Sequence, residues 1–324
     1  MKKHFNIQLF ADGDNGTATN RANVELPKEV SQEIIQKTQE ESAVMGMARK
    51  ITLPGRGLTI PEILADPEPA WVSETELKPV SNPQIGKKDI QGYTLAVIVP
   101  FSNQFRRDYN TLFNACVARL PRALGSKFDN TCFGGTAAPG ENFDTFGEVT
   151  GVDITQDAYA GLVAADTAIA VAGGITDGYV ISPQAKGILL SAKDDDQRPL
   201  FINSVAEGAI PMILGTPTKL SRGVYVEGTP ASAASGTEGQ EGYVPASAGV
   251  PATVGVCGDW TKAVYGIVEA VTISLSDQAT LKVGNDTIYL WQQNMFAVRA
   301  EIEIGFRADT SKFVRLLGNV PTGA

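Results

Sequence analysis

Apolar residues occupy every second position through MFAVRAEIEIGFR near the C-terminus. Phe296, Val298, Ala300, Ile302, Ile304 and Phe306 share one face, and Ala297, Arg299, Glu301, Glu303, Gly305 and Arg307 share the other. A period of two predicts a strand, and about 13 residues at roughly 3.3 Å each give it a length near 40 Å, more than twice the usual. GYTLAVIVPFS repeats the alternation with Tyr93, Leu95, Val97 and Val99. Immediately after it the period becomes helical: Phe105, Tyr109, Leu112, Phe113, Cys116, Val117, Leu120, Leu124 and Phe128 recur on one side. Ser102 or Asn103 is placed to cap this helix, and Gly134 and Gly135 to stop it. At 1.5 Å per residue the helix reaches roughly 40 Å, with a bend expected at Pro121. A strand and a helix of equal reach predict a flat, elongated layer in place of a globule.

Other segments read more briefly. An alanine-rich helix is predicted from about Thr155 to Ala172, closed by Gly173 and Gly174. A mixed stretch follows, with GYVISP as a strand, PQAKGILLSAK as a helix and AIPMILGTPTKL as a second strand. EGTPASAASGTEGQEGYVPASAG is small and polar, an excursion or loop. VGVCGDW, AVYGIVEA and VTISLS then read as three strands. At the other end, residues 1 to about 27 are polar and read as a mobile tail. A helix is predicted to start near Pro27 and weaken at Gly46, with Val30, Ile34 and Ile35 on one face. That stripe is too thin to hold a helix by itself, so the helix must lie on something else.

The least self-sufficient segment is DPEPAWVSETELKPVSNPQIGKK, Asp66 to Lys88. Four prolines keep it extended, and Trp71 has almost nothing nearby to form a core around it. A disordered linker is the plain alternative, but Trp71, Val72, Leu77, Val80 and Ile85 are too apolar for a solvated one. Burying one indole removes about 150–250 Å² from water, worth roughly 4–6 kcal/mol at about 25 cal/mol per Å². One such contact is marginal against the cost of ordering the loop; repeated around a closed assembly it would join many copies.

Composition narrows the chemistry. The 324 residues are 43% hydrophobic, enough for a sizeable core, and the net charge of −9 argues against tight non-specific nucleic-acid binding. Cys116, Cys132 and Cys257 form no CxxC pair and read as free thiols in a reducing compartment. The N-terminus lacks the apolar stretch of a secretory signal, and no apolar run is long enough to cross a bilayer, so cytoplasmic synthesis and no membrane partner are expected. His4 is the sole histidine, which removes the usual nucleophile–histidine sets. No phosphate-cradling glycine motif occurs; GRG at Gly55–Gly57 reads as a turn. Asp194, Asp195 and Asp196 read as a solvated turn, and Arg106 and Arg107 beside Asp108 as salt-bridged surface residues. A lysine among Lys78, Lys87 and Lys88 held beside an asparagine and a carboxylate could form an isopeptide bond, but ordinary loop lysines are the simpler reading. No catalytic residue, metal or cofactor is expected.

Taken in order, AWVSE (Ala70 to Glu74), TLAVIVPFSNQFRRD, FDNTCFGG, GYVISPQAKGILLSAKDDDQRPLF, LGTPTKLS, VCGDWTKAVYGI and NMFAVRAEIEIGFRADTSKFVRL resemble the major capsid proteins of tailed bacteriophages. The resemblance runs from about Pro27 to Leu317 and implies an α+β chain of the Hong Kong 97-type phage capsid fold. It implies an N-arm (1–50), an E-loop (51–95), a peripheral domain (96–174 and 284–324) carrying a spine helix and a long strand, and an axial domain (175–283). It also implies that the E-loop, with Trp71, Val72, Glu74 and Leu77, lies on an adjacent subunit, and that Val30, Ile34 and Ile35 make N-arm contacts. The implied function is a major capsid protein forming pentamers and hexamers of an icosahedral shell around phage DNA. Implied partners are many copies of itself, a separate scaffolding protein, a portal protein and packaged double-stranded DNA bound without sequence preference. Too little sequence precedes the N-arm for the fused scaffold of some relatives, and no lysine, asparagine and carboxylate set matches residue by residue. An encapsulin-like nanocompartment shell is the alternative of the same fold; a free-standing enzyme or binding module would instead be a stable monomer.

Overall fold

The computed structural model describes residues 42–65, 67–74, 77–78, 80–81, 84–108, 110–193, 200, 212–230, 249–283 and 286–319. The long alternating strand is the centre of its first sheet. β13 (Met295–Ala308) pairs antiparallel with β4 (Tyr93–Ser102) on one side and with β10 (Ala263–Ser276) on the other, and β1 (Arg49–Thr52) adds in parallel beyond β10. All six residues of its predicted apolar face, Phe296 to Phe306, are buried. β10 is one strand where the sequence predicts two. The break between AVYGIVEA and VTISLS is absorbed by register shifts at Ile267/Glu269 and Glu269/Thr272 that realign the ladder.

The predicted spine helix lies across this sheet as α2 (Asn103–Asp108) and α3 (Asn110–Ala118), on either side of position 109, which lies outside the described residues, and, beyond a break at Arg119, as α4 (Leu120–Cys132). Pro121 does more than bend it. Proline offers no N–H to the preceding turn, the Arg119 N–H bonds back only to Cys116 O (3.1 Å), and a new helix begins at Leu120 with Pro121 in its first turn. Leu124, Phe128 and Cys132 of α4 join the inward face of β13 in the larger core.

The second sheet has the order β5 (Gly151–Asp153), β14 (Phe313–Leu317), β9 (Thr253–Gly258), β6 (Gly178–Ile181), β8 (Thr216–Leu220), β7 (Met212–Ile213). α5 (Ala158–Val171) and α6 (Pro183–Ser191) share its core through residues such as Leu162, Ile169 and Leu189. Both helices are capped as their sequences indicate: Asp157 accepts from Ala160 N–H and Ser182 from Ala185 N–H. AIPMILGTPTKL, predicted as one strand, contains β7 and β8 folded against each other. Leu214 (φ 48°) and Gly215 (φ 79°) both take the left-handed conformation that a two-residue hairpin turn requires, and a leucine there gives no warning of it.

The expected boundaries at 175 and 284 cut across both sheets. β5 and α5 precede residue 175 yet belong to the second layer, as does β14 from beyond 284, while β10 belongs to the first. The cause is a double crossing. β9 passes into β10 through Asp259–Lys262, and β13 into β14 through Asp309–Lys312. Each is a single 3-10 turn capped by its aspartate. The two turns bond reciprocally, Asp259 N–H to Lys312 O and Asp309 N–H to Lys262 O, each at 3.2 Å. Trp260, in the first turn, donates its indole N–H to Gly178 O (3.1 Å) and packs edge-on against Phe313 and Phe146.

The predicted N-terminal helix lies mostly outside the described residues, and Val30, Ile34 and Ile35 with it. What is described begins with a separate short helix, α1 (Ala43–Met47), which starts at its N-cap Ser42; the extended backbone of Ser42 (ψ 125°) means that the predicted helix does not run unbroken to Gly46. Asp129 of α4 is buried and takes hold of the start of α1: it accepts from Ser42 Oγ (2.6 Å), Ala43 N–H (2.7 Å) and Val44 N–H (3.3 Å). Lys219 Nζ of β8 donates to Ser42 O (3.0 Å). Burial lifts the Asp129 carboxyl above its ordinary range, against the pull of those donors and of the Lys219 charge. Asp129→Ala strands three buried donors and is expected to lower stability by about 3 kcal/mol. Denaturant titration of the unassembled protein should show that loss, together with faster proteolysis around residues 42–47.

Candidate assembly surface

β2 (Leu58–Ala65) and β3 (Gln84–Ile90) pair only with each other, in register from Leu58↔Ile90 to Ala65↔Gln84. At about 3.4 Å per residue the ribbon carries its tip roughly 24 Å from the paired root. A two-stranded ribbon can cover little of its own apolar surface. Trp71 is fully exposed (104%), Leu77 93% and Val80 91%; Val72 and Glu74 are also exposed. The tip is closed by Glu68 N–H donating to Ser81 Oγ at 3.0 Å. The structure thus brings Trp71, Val72, Glu74 and Leu77 together on one protruding tip.

The ribbon's root is fixed by one carboxylate. Asp144 Oδ1 lies 2.7 Å from Arg307 Nη1 and Asp144 Oδ2 lies 3.0 Å from Lys88 Nζ, all three side chains being largely buried. Arg307 also donates to Asp89 O (2.6 Å) and Asn142 Oδ1 (3.1 Å), and Lys88 to Ala308 O (2.6 Å). The ribbon is therefore bonded to β13 and to the loop before β5 by charge-assisted hydrogen bonds, the stronger kind. The chain leaving β3 passes so close over Gly305 that a Cβ there would sit 2.2 Å from Gln91 O. That close passage explains the glycine within an otherwise regular strand.

Other candidates resolve as structure. Among the described residues no three His, Cys, Asp or Glu side chains are grouped to hold a metal ion. Cys132 and Cys257 are buried, and burial pushes both thiols upward, away from reactivity. Arg107 pairs with Asp108 (2.8 Å), as expected, whereas Arg106 stacks on the Phe296 ring at 5.4 Å. Lys88 is committed to Asp144, and Lys78 and Lys87 are exposed. His4 and Asp194–Asp196 lie outside the described residues. No described helix is long and apolar enough to cross a membrane. One exposed patch escaped the sequence reading. A second hairpin, β11 (Thr280–Val283) with β12 (Asp286–Tyr289), ends in Tyr289 (48% exposed) and Trp291 (72%), with Leu290 buried between them. Its signal was Gly284–Asn285 between two short runs.

A sequence profile described as the phage capsid family matches residues 22–235. The chain belongs to the phage capsid family. Members of this family are structural components of the virion shell. Proteins named "Probable major capsid protein gp17" align along nearly the whole chain. That of Mycobacterium phage D29 is 27% identical over 317 residues, covering 92% of this chain and 91% of its own. That of Mycobacterium phage L5 is 29% identical over 314 residues, covering 90% and 88%. Solved structures share the fold. A chain from Microbacterium phage Oxtober96 superposes with TM-score 0.66 at 18% identity, over 85% of this chain and 90% of that one. One titled as the capsid of an empty GTA particle computed with C5 symmetry gives 0.57 at 15%, over 86% and 89%. The capsid chain therefore has the tailed-phage, Hong Kong 97-type fold expected from its sequence.

Asp144→Asn removes the charge that Arg307 and Lys88 share. Because these groups retain some exposure, the expected cost is about 2–3 kcal/mol, below the 3–5 of a fully buried pair. Denaturant midpoints of the unassembled capsid chain measure it, and protease should cut within 58–90 sooner than in the wild type.

Proposed function

We propose that this chain is the major capsid protein of a tailed bacteriophage, assembling into pentamers and hexamers of an icosahedral shell that encloses double-stranded DNA. The observation that supports this beyond family membership is the exposed Trp71 tip, held on a braced ribbon and covered by none of the described residues. In this reading residues 1–50 are the N-arm and 51–95 the E-loop; Trp71, Val72, Glu74 and Leu77 bind the adjacent subunit, and Val30, Ile34 and Ile35 lie along a neighbour. The layer of β4, β10 and β13 with the spine helix is the peripheral domain, joined at its edge by β1 from the junction of N-arm and E-loop, and the layer around β6 and β9 is the axial domain.

In this reading the chain works without catalysis, as a member of a family of structural proteins. Its other partners are a separate scaffolding protein, a portal protein and DNA held without sequence preference, all carried by the resemblance described above. The net charge of −9 lets DNA fill the interior without adhering. Assembly takes place in the host cytoplasm. The encapsulin-like alternative is set aside because the family profile and the curated relatives are phage capsid proteins.

The test replaces residues 67–81 with a glycine–serine linker of equal length. Wild-type protein with its scaffold should give shells in electron micrographs. The variant should keep its circular dichroism and run as a 34.3 kDa species without shells. Normal shells from the variant, or a wild-type chain that stays monomeric at high concentration beside the scaffold, would overturn the reading.

A further inference from the structure

An open apolar cavity of about 180 Å³ lies between the start of β4, α4 and the loop 136–143. Tyr93, Leu95, Phe128, Phe143 and Ile304 wall it. Its aromatic walls are set edge to face, Tyr93 against Phe143 at 6.2 Å and 73°, and Phe128 against Phe143 at 6.2 Å and 86°. Asn142 N–H holds the Tyr93 hydroxyl at 3.3 Å. The rim is polar: Lys127 Nζ donates to Thr136 Oγ1 (2.8 Å), and the Thr131 hydroxyl donates to Lys127 O (3.0 Å), which leaves the Thr131 oxygen able to accept.

Resting on the reading above, we propose that this cavity receives the Trp71 side chain of a second copy of this chain. The match has four parts. A cavity this small admits one large side chain and excludes a helix, whose diameter is about 10–12 Å. Its edge-to-face rings suit a further aromatic ring, and Thr131 offers an acceptor to the indole N–H. The tip carries Glu68 and Glu74 on either side of Trp71, and Lys127 on the rim pairs with no carboxylate among the described residues. Finally, the chain's own indole is fully exposed, and seven registered pairs hold the tip roughly 24 Å out from a root that ends three residues before Tyr93. The tip therefore fills the cavity of another copy.

Knob and hole lie at different places on one chain, so the contact is head to tail. Such contacts close into rings when the rotation between copies permits. Each copy in a ring then gives one tryptophan and receives one.

The test keeps Trp71 and pairs Val72→Cys with Ala137→Cys in assembled wild-type background protein. Mild oxidation should give a ladder on non-reducing gels that stops at five or six chains, while neither single variant gives one. A second variant, Thr131→Phe, fills the mouth of the cavity; it should melt with the wild type as an unassembled chain and yield at least tenfold fewer shells. No ladder from particles that form normally, normal yield from Thr131→Phe, or a cross-link confined to single chains would each overturn the cavity as the docking site. If the linker replacement of residues 67–81 still blocks assembly, the capsid reading survives that result; if that variant also assembles, both fall.

Discussion

Two strands that pair only with each other have no inside. Whatever apolar residues they carry at their tip stay in water unless a separate surface comes to meet them, and every large indole left there costs several kcal/mol relative to burial. The ribbon of this capsid chain is such a structure, with Trp71, Leu77 and Val80 almost wholly exposed. Its remaining features make sense as supports for that exposed tip: a flat sheet to stand on, a rigid root and a fixed direction.

Rigidity comes from two carboxylates, Asp129 fully buried and Asp144 partly so, that serve opposite limbs. Asp144 gathers Arg307 and Lys88 at the foot of the ribbon, and Asp129 gathers Ser42, Ala43 and Val44 at the foot of the N-terminal segment. Each lies between a limb and the sheet-and-helix layer that the long strand organises. A limb rooted by hydrogen bonds to charge keeps one direction, so less orientational freedom remains to be lost when a neighbour binds it.

Much of this layer was legible because its signals are local. An apolar residue at every second position marked β13 over its whole length, and helical spacing marked the spine; Trp71 stood out because its neighbours in sequence cannot bury it. What escaped depends on partners far along the chain. Asp129 and Ser42 are 87 residues apart, and Arg307 and Asp144 are 163 apart; nothing in either neighbourhood marks a pair. The hairpin at Leu214 was missed because leucine rarely takes positive φ, and the layer boundaries because the chain changes layer at two capped turns that look like ordinary loops. Of the candidate contact residues, Trp71, Val72, Glu74 and Leu77 are exposed on the tip, while Val30, Ile34 and Ile35 lie outside the described residues.

The double crossing at Asp259–Lys262 and Asp309–Lys312 has a mechanical consequence. A single strand linking two layers would act as a swivel, free to twist about its own axis. Two strands side by side, each bonded to the other at the step, form a strap: twisting shears the reciprocal Asp259–Lys312 and Asp309–Lys262 bonds, whereas folding along the line through both turns leaves them intact. Curvature in a shell built from such chains is therefore gained by flexing about one axis, while handedness between the two layers is held constant.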